Sequence, residues 1–100
     1  MIQVIALLYA GDGGKPAMRA YESKVMRILA EHGGRLVSAS HPADPRPDDP
    51  DEVHIVQFES SGHFAAFRAD PRHAGLKTER QAAIRDTRLF ITDQFVTYID

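Results

Sequence analysis

The chain has 100 residues, a formal net charge of −2 at pH 7 and no cysteine. Its 43% apolar and 26% charged residues are typical of a soluble globular protein and exclude a chain too polar to fold. The charge gives no broad positive field, so we expect neither nucleic acid nor a membrane as a partner. We expect residues 1–100 to form one domain. The lack of cysteine and an N-terminus without the features of a signal peptide favour a cytoplasmic location.

The first forty residues predict a strand, a helix and a second strand. Ile2–Ala10 is an apolar run interrupted only by Gln3, a pattern typical of a central strand. After Pro16, one helical face carries Met18, Tyr21, Val25, Ile28, Leu29 and His32. Gly33 and Gly34 are expected to end this helix, one of them in the left-handed conformation. Arg35–Ser40 follows as the second strand.

The second half predicts two more strands around an interrupted helix. Residues 41–52 contain four prolines and five acidic residues, which indicates an extended, solvated connection that we expect to be mobile and dispensable for folding. Val53–Phe58 is the third strand, and a helix then breaks at Asp70-Pro71 and restarts to about Arg85. The last strand is predicted at residues 88–99. This β-α-β-β-α-β order predicts an α+β, ferredoxin-like antiparallel sheet with helices on one face.

Five short motifs occur in the order found in one known family. They are Tyr21-x3-Val25-x3-Leu29, His32-Gly33-Gly34-Arg35-Leu36, Val56-Gln57-Phe58-Glu59-Ser60, Asp70-Pro71-Arg72-His73 and Leu76-Lys77-x2-Arg80. The sequence resembles the dimeric α/β-barrel proteins, and most closely the domain of unknown function 1330 family. The resemblance implies a homodimer whose sheets face each other across a small barrel. Related families include cofactor-independent monooxygenases, muconolactone isomerase-like proteins and haem-degrading enzymes.

Two histidines and one arginine are the main candidates for chemistry. His73 and Arg80 share the helical stripe of Leu76, where an apolar residue is expected. Arg80 is a candidate for binding an anion, and His73 for proton transfer, in place of the tyrosine usual in the family. Alternatively, Arg80 pairs with a carboxylate such as Glu59 or Asp93, and His73 only caps a turn. His54 on the third strand is either a catalytic base or a structural histidine.

The remaining candidates would contact the ligand. Tyr9 and Gln57 belong to strands and line the interior if their sheet face points inward, and Tyr21 is either a ligand contact or a core residue. The histidines show no metal-ligand spacing, so we expect no metal, and we expect no cofactor.

Two functions remain open at this stage. In the first, a homodimer binds a small, partly apolar organic acid or aromatic molecule between its sheets, for cofactor-independent oxidation, isomerisation or proton transfer. In the second, the dimer is a non-catalytic stress-related or regulatory interaction module whose cavity is filled by its own side chains. A large cavity with converging polar groups would favour the first function.

Overall fold

The computed structural model describes residues 1–98, which contain four strands and four helices in the order β-α-β-β-α-α-α-β. The strands are β1 (Ile2–Ala10), β2 (Arg35–Ser40), β3 (Glu52–Phe58) and β4 (Ile84–Thr92). The helices are α1 (Gly14–Glu31), α2 (Ser61–Arg68), α3 (Arg72–Gly75) and α4 (Lys77–Ala83).

The strands form one antiparallel sheet in the order β2-β3-β1-β4. The predicted α+β, ferredoxin-like fold is therefore confirmed, and β1 is central as expected. Ile5 pairs with Ile55 of β3 on one side and with Phe90 of β4 on the other. Side chains alternate between the two faces of the sheet, so this register decides which residues share a face.

Helix α1 packs on the sheet through the apolar stripe that the sequence predicts. Met18, Tyr21, Val25, Ile28 and Leu29 are its buried residues. The helix ends at Gly33, whose φ of +77° is left-handed. The Gly34 N–H donates to Leu29 O at 2.9 Å and the Gly33 N–H donates to Ala30 O at 3.1 Å. These two bonds form a Schellman motif, which satisfies carbonyls at the helix end and turns the chain into β2.

The core lies between the helices and one face of the sheet. Phe58 of β3 is only 2% exposed. Its ring centroid lies 5.4 Å from that of Phe64 and 5.8 Å from that of Phe67, both on α2. The capped helix α2, in which the Ser60 hydroxyl accepts a hydrogen bond from the His63 N–H, thereby seals one end of the core.

The boundary between the last helix and the last strand differs from the prediction. The helix was expected to reach about Arg85, but it ends at Ala83, and Ile84 is already extended and pairs with Ala10 of β1. Gly11 accounts for the early exit, because its N–H donates to Ala83 O at 2.8 Å and a Cβ there would lie 2.4 Å from Ala82 O. Ile84 therefore pairs with β1, although the helical periodicity of the sequence assigns this residue to the helix. The last strand ends at Thr92, so its predicted continuation through residues 93–98 is wrong, and the predicted position 99 lies outside the described residues.

The proline-rich connection is not extended as predicted, because it contains bends and a turn in which the Asp49 N–H donates to Arg46 O at 3.0 Å. Its last residues are attached to the sheet. The Asp51 N–H donates to Leu8 O at 2.8 Å, and Asp51 Oδ2 accepts the Ala10 N–H at 2.8 Å. These bonds extend the pairing of β1 to the residue before β3 begins. Removal of the segment including Asp51 would therefore cost backbone hydrogen bonds of β1.

No helix within residues 1–98 packs on the opposite face of the sheet. We call it the bare face, and its apolar residues are Ile5, Leu7, Val53, Ile55 and Phe90. The first four are half-buried, while Phe90 is 47% exposed. Among residues 1–98, no helix is both long and apolar enough to cross a membrane.

Candidate functional site

A cavity of about 570 Å³ lies between the sheet and the helices of one protomer. Its walls come from β1, β3 and β4 and from α1, α2, α3 and α4, and most of the lining residues are apolar. Polar side chains reach the cavity from six different elements: Tyr21, Glu22, His54, Arg68, His73, Arg80 and Thr87. An apolar pocket of this size with a few converging polar groups is typical of sites for small organic ligands.

His54 lies on the wall that β3 contributes to this cavity. Only 4% of His54 is exposed, and its Nε2 is 2.7 Å from Oε1 of Glu52, which is also buried. The second carboxylate oxygen of Glu52 accepts a hydrogen bond from Nε of Arg19 at 3.1 Å. Burial acts to raise the pKa of Glu52, but the hydrogen bonds from His54 and Arg19 outweigh it and hold the pKa below its usual value.

The state of Glu52 fixes the tautomer of the imidazole. An ionised carboxylate only accepts hydrogen bonds, so Nε2 of His54 carries a proton, and in the neutral ring Nδ1 has a free lone pair. Nδ1 makes no hydrogen bond to residues 1–98, and no unpartnered buried side-chain nitrogen or oxygen occurs among those residues. Nδ1 therefore retains contact with solvent, and His54 has the arrangement of a general base.

Like Arg68 and Thr87, Glu22 is a cavity residue that the sequence analysis missed. It is half-buried on α1 beside Tyr21, and its pKa is raised chiefly by burial, an effect that the nearby His54 opposes. A raised pKa brings the protonation of a carboxyl group toward neutral pH. Its spacing in the sequence could have identified it. Glu22 lies four residues from Met18 and four from Met26, and therefore borders the apolar stripe of α1.

Tyr21 and Arg80 bring two hydrogen-bond donors to the same cavity. Tyr21 is 5% exposed, and burial raises the pKa of its hydroxyl, although the positive charge of Arg80 offsets part of this effect. Tyr21 is therefore a protonated donor at neutral pH. The Arg80 guanidinium is exposed and contacts Thr87 Oγ1 at 3.5 Å. Within residues 1–98 it forms no ion pair, so the predicted pairing with Glu59 or Asp93 is absent.

His73 lines the cavity and also closes a turn. Its Nε2 is 2.9 Å from Phe67 O, so Nε2 donates the hydrogen bond and Nδ1 is unprotonated in the neutral ring. The ring also packs edge-on against Phe67, with centroids 4.9 Å apart. The hydrogen bond to Phe67 O agrees with the reading of His73 as a turn cap, and its role in proton transfer stays a prediction.

Tyr9 and Gln57 lie away from these groups. Gln57 is on the bare face, where it accepts a hydrogen bond from Arg35 at 2.8 Å. The Tyr9 hydroxyl is 3.5 Å from Asp48 O in the proline-rich connection. Four of the six predicted site residues therefore share one cavity, and two do not. The cavity lies between the sheet and the helices, and not on the face where a second sheet was expected.

The acidic and imidazole groups are not arranged as a metal site. Among residues 1–98, no three His, Asp or Glu side chains are placed to hold a metal ion.

The fold and the cavity define an α+β protein of the ferredoxin-like class. The chain belongs to the family described as Domain of unknown function (DUF1330), whose sequence profile matches residues 13–95. Comparison with the sequences of curated proteins gave no match.

Solved structures with similar folds come from several bacteria. A protein of unknown function from Rhodopseudomonas palustris aligns with a TM-score of 0.76 at 22% identity, over 96% of this chain and 83% of that one. SnoaB from Streptomyces nogalater, a cofactor-independent oxygenase, aligns with a TM-score of 0.72 at 14% identity, over 99% and 97%. A dimeric protein of unknown function with a ferredoxin-like fold from Bacteroides fragilis aligns with a TM-score of 0.67 at 10% identity, over 93% and 95%. At these identities the similarity concerns the fold.

Proposed function

We propose that this protein is a homodimeric enzyme that binds a small, partly apolar organic molecule in the cavity of each protomer and removes a proton from it through His54. The observation that carries the proposal is the hydrogen bond of 2.7 Å between His54 and Glu52 at the wall of a mainly apolar cavity. Glu52 orients the imidazole and stabilises the imidazolium that forms when Nδ1 accepts a proton.

The other polar groups suit the negative charge that proton removal leaves on the ligand. When a proton leaves a carbon beside a carbonyl group, the charge moves to the carbonyl oxygen as an enolate. Tyr21 and Arg80 are donors in the same cavity, and such donors stabilise a developing oxyanion. This chemistry serves isomerisation directly and also forms the electron-rich carbanion that cofactor-independent oxidation requires. The structural similarity to SnoaB is consistent with the second reaction.

The non-catalytic alternative requires a cavity filled by the protein's own side chains. About 570 Å³ is instead open to a ligand, which is within the range of roughly 300–1,000 Å³ usual for small-molecule sites. The size and the converging polar groups therefore favour a ligand.

The bare face supports the homodimer. Its five apolar residues form one continuous patch across β3, β1 and β4, and similar structures include dimeric ferredoxin-like proteins. Burial of this patch against a second copy would leave the cavity, on the opposite side of the sheet, accessible to ligand in each protomer.

Hydrogen–deuterium exchange of small enolisable aromatic ketones tests the proposed function. NMR in D2O measures how fast the protein removes the proton beside the carbonyl. We expect His54→Gln to slow the exchange by about a hundredfold or more, because general-base catalysis contributes about 10² to 10⁴. The control His63→Gln alters a histidine that contacts Ser60 outside the cavity and should keep the parent rate. Failure of the parent to exchange any ketone of the set, or parent-like exchange in His54→Gln, would contradict the proposal.

A further inference from the structure

Glu22 and Arg80 bring opposite charges to one cavity without pairing with each other. Glu22 comes from α1 and Arg80 from α4, and both line the cavity. Within residues 1–98, neither side chain forms an ion pair with any other residue. Each therefore keeps its capacity to interact with a ligand.

The surroundings of Glu22 disfavour the ionised form of its carboxyl group. Burial is the largest influence on its pKa and raises it, and the negative charge of Glu52 on β3 acts in the same direction. His54 on β3 and Arg80 on α4 oppose the shift without cancelling it. A further negative charge placed in the cavity would increase the cost of ionised Glu22, so the carboxyl group would take up a proton more readily.

Water can reach Glu22 without passing through the ligand cavity. A second cavity of about 590 Å³ lies between α1 and β2, and it shares Glu22, Met26 and His54 with the first. Arg19 and Glu52 also line this second cavity. These shared residues form the wall between the two spaces, so a proton can arrive at Glu22 from the side opposite to the ligand.

Resting on the proposed function, we propose that the ligand of this cavity is a small organic carboxylate, which binds to Arg80 together with one proton taken up from water by Glu22. The planar guanidinium suits a carboxylate, with which it can form two parallel hydrogen bonds. Protonated Glu22 no longer repels the anion and becomes a hydrogen-bond donor to it. Glu22 is then the residue that makes binding of the anion depend on pH.

Benzoate is the probe for this inference, with titration calorimetry over a series of pH values. If one proton enters with each benzoate, the dissociation constant should rise by up to about tenfold per pH unit above the pKa of free Glu22. Glu22→Gln should bind benzoate with nearly the same affinity at every pH, because the amide carries no charge to neutralise. The control Glu59→Gln removes an exposed carboxylate outside both cavities and should keep the parent's pH dependence.

His54 provides a competing explanation, because its protonation at low pH would also favour an anion. The variants Glu22→Gln and His54→Gln distinguish the two explanations of the pH dependence. A pH dependence that persists in Glu22→Gln and disappears in His54→Gln would assign the proton to His54 and overturn the inference. A pH dependence lost only in Glu22→Gln supports it.

A neutral probe of similar size separates this inference from the proposed function. Acetophenone resembles benzoate but has no charge, so it tests the cavity without an ion pair to Arg80. Binding of acetophenone without binding of benzoate would overturn the inference and leave the proposed function standing, whereas binding of neither would contradict both. Arg80→Met should weaken benzoate by at least about tenfold, consistent with the loss of a charged hydrogen bond, and should weaken acetophenone by a smaller factor.

Discussion

The two faces of the sheet are built from the same strands and have opposite characters. On the helix-covered face, Val4, Val56 and Phe58 are buried and the polar exception, His54, has a carboxylate partner. On the bare face, the neighbouring residues Ile5 and Ile55 are only half-buried. Along β1 and β3, the helix-covered face is thus buried and the bare face is not. Leu36, Leu89 and Ile91 on the edge strands remain exposed on the helix-covered side.

This difference between the faces suits one of them to ligand binding and the other to self-association. On the helix-covered face, α1 and α2 cover β1 and β3 except at the cavity, where polar residues can be held in fixed positions among apolar ones. The bare face presents apolar side chains that one protomer does not cover, as expected for a surface that self-associates. Substitutions on the first face should therefore change folding and ligand binding, and substitutions on the second should change assembly.

The largest effect is expected from Phe58→Ala on the helix-covered face. Phe58 is 2% exposed and contacts two other phenylalanine rings, so truncation leaves a cavity and should lower the free energy of unfolding by about 3–5 kcal/mol. Urea denaturation measures the loss. Gln57→Ala alters the next residue, which faces the other way, and should cost about 1 kcal/mol or less. Equal losses in the two variants would contradict the asymmetry of the faces.

A smaller effect, on assembly, is expected from Ile55→Asp on the bare face. A carboxylate at the centre of the apolar patch would be buried without a partner in the dimer. We expect the dimer to dissociate about a hundredfold more readily, which corresponds to roughly 3 kcal/mol. Sedimentation velocity detects the monomer, and an unchanged far-UV circular dichroism spectrum shows that the chain remains folded. Ile55→Val should still dimerise, and a dimer that also persists in Ile55→Asp would place the interface elsewhere.

The smallest effect is expected from Glu52→Gln, which keeps the shape of the side chain beside His54 and removes the charge of the carboxylate. The pKa of Glu52 is lowered by hydrogen bonds from His54 and Arg19, so the ionised group stabilises the fold above its unfolded-state pKa. The variant should lose about 1.5 kcal/mol at pH 7, as expected for a charged hydrogen bond.

The same variant tests the sign of this pH dependence. The parent should lose its advantage as the pH falls through the lowered pKa of Glu52, because its carboxyl group is then protonated too. Glu59→Gln, which changes an exposed carboxylate, should show no such convergence. An advantage of the parent that grows toward acid pH would contradict the assignment.

Much of the fold could be predicted from local sequence patterns. Apolar runs and turn residues placed β1, β2 and β3 within one residue, and Gly33 ended α1 in the predicted left-handed conformation. The start of β4 could not be predicted in this way. Ile84 continues the helical spacing of His73 and Arg80, and only its pairing with Ala10, distant in the sequence, places it in the sheet.

The candidate site was predictable where an unusual residue interrupts an apolar pattern. Arg80 and His73 were recognised in this way, and both line the cavity. Glu22 was missed because a glutamate beside an amphipathic stripe is common on solvated helices, and its burial depends on β2 and β3. Tyr9 and Gln57 were included because the face toward the cavity cannot be decided from alternation alone. The strand register and the position of the helices together decide which face of the sheet points toward the cavity.

Chemical-shift mapping of backbone amides with acetophenone tests the central claim most directly, namely that the ligand site lies on the helix-covered face. The account predicts saturable shifts at Glu22 and Met26 on α1 and at His54 on β3, with the bare-face residues Ile5 and Ile55 unaffected. The His54→Gln variant should show the same set of shifted residues, because the cavity remains while its base is lost. Shifts confined to the bare face, or no saturable shift at any residue of the cavity, would contradict the account.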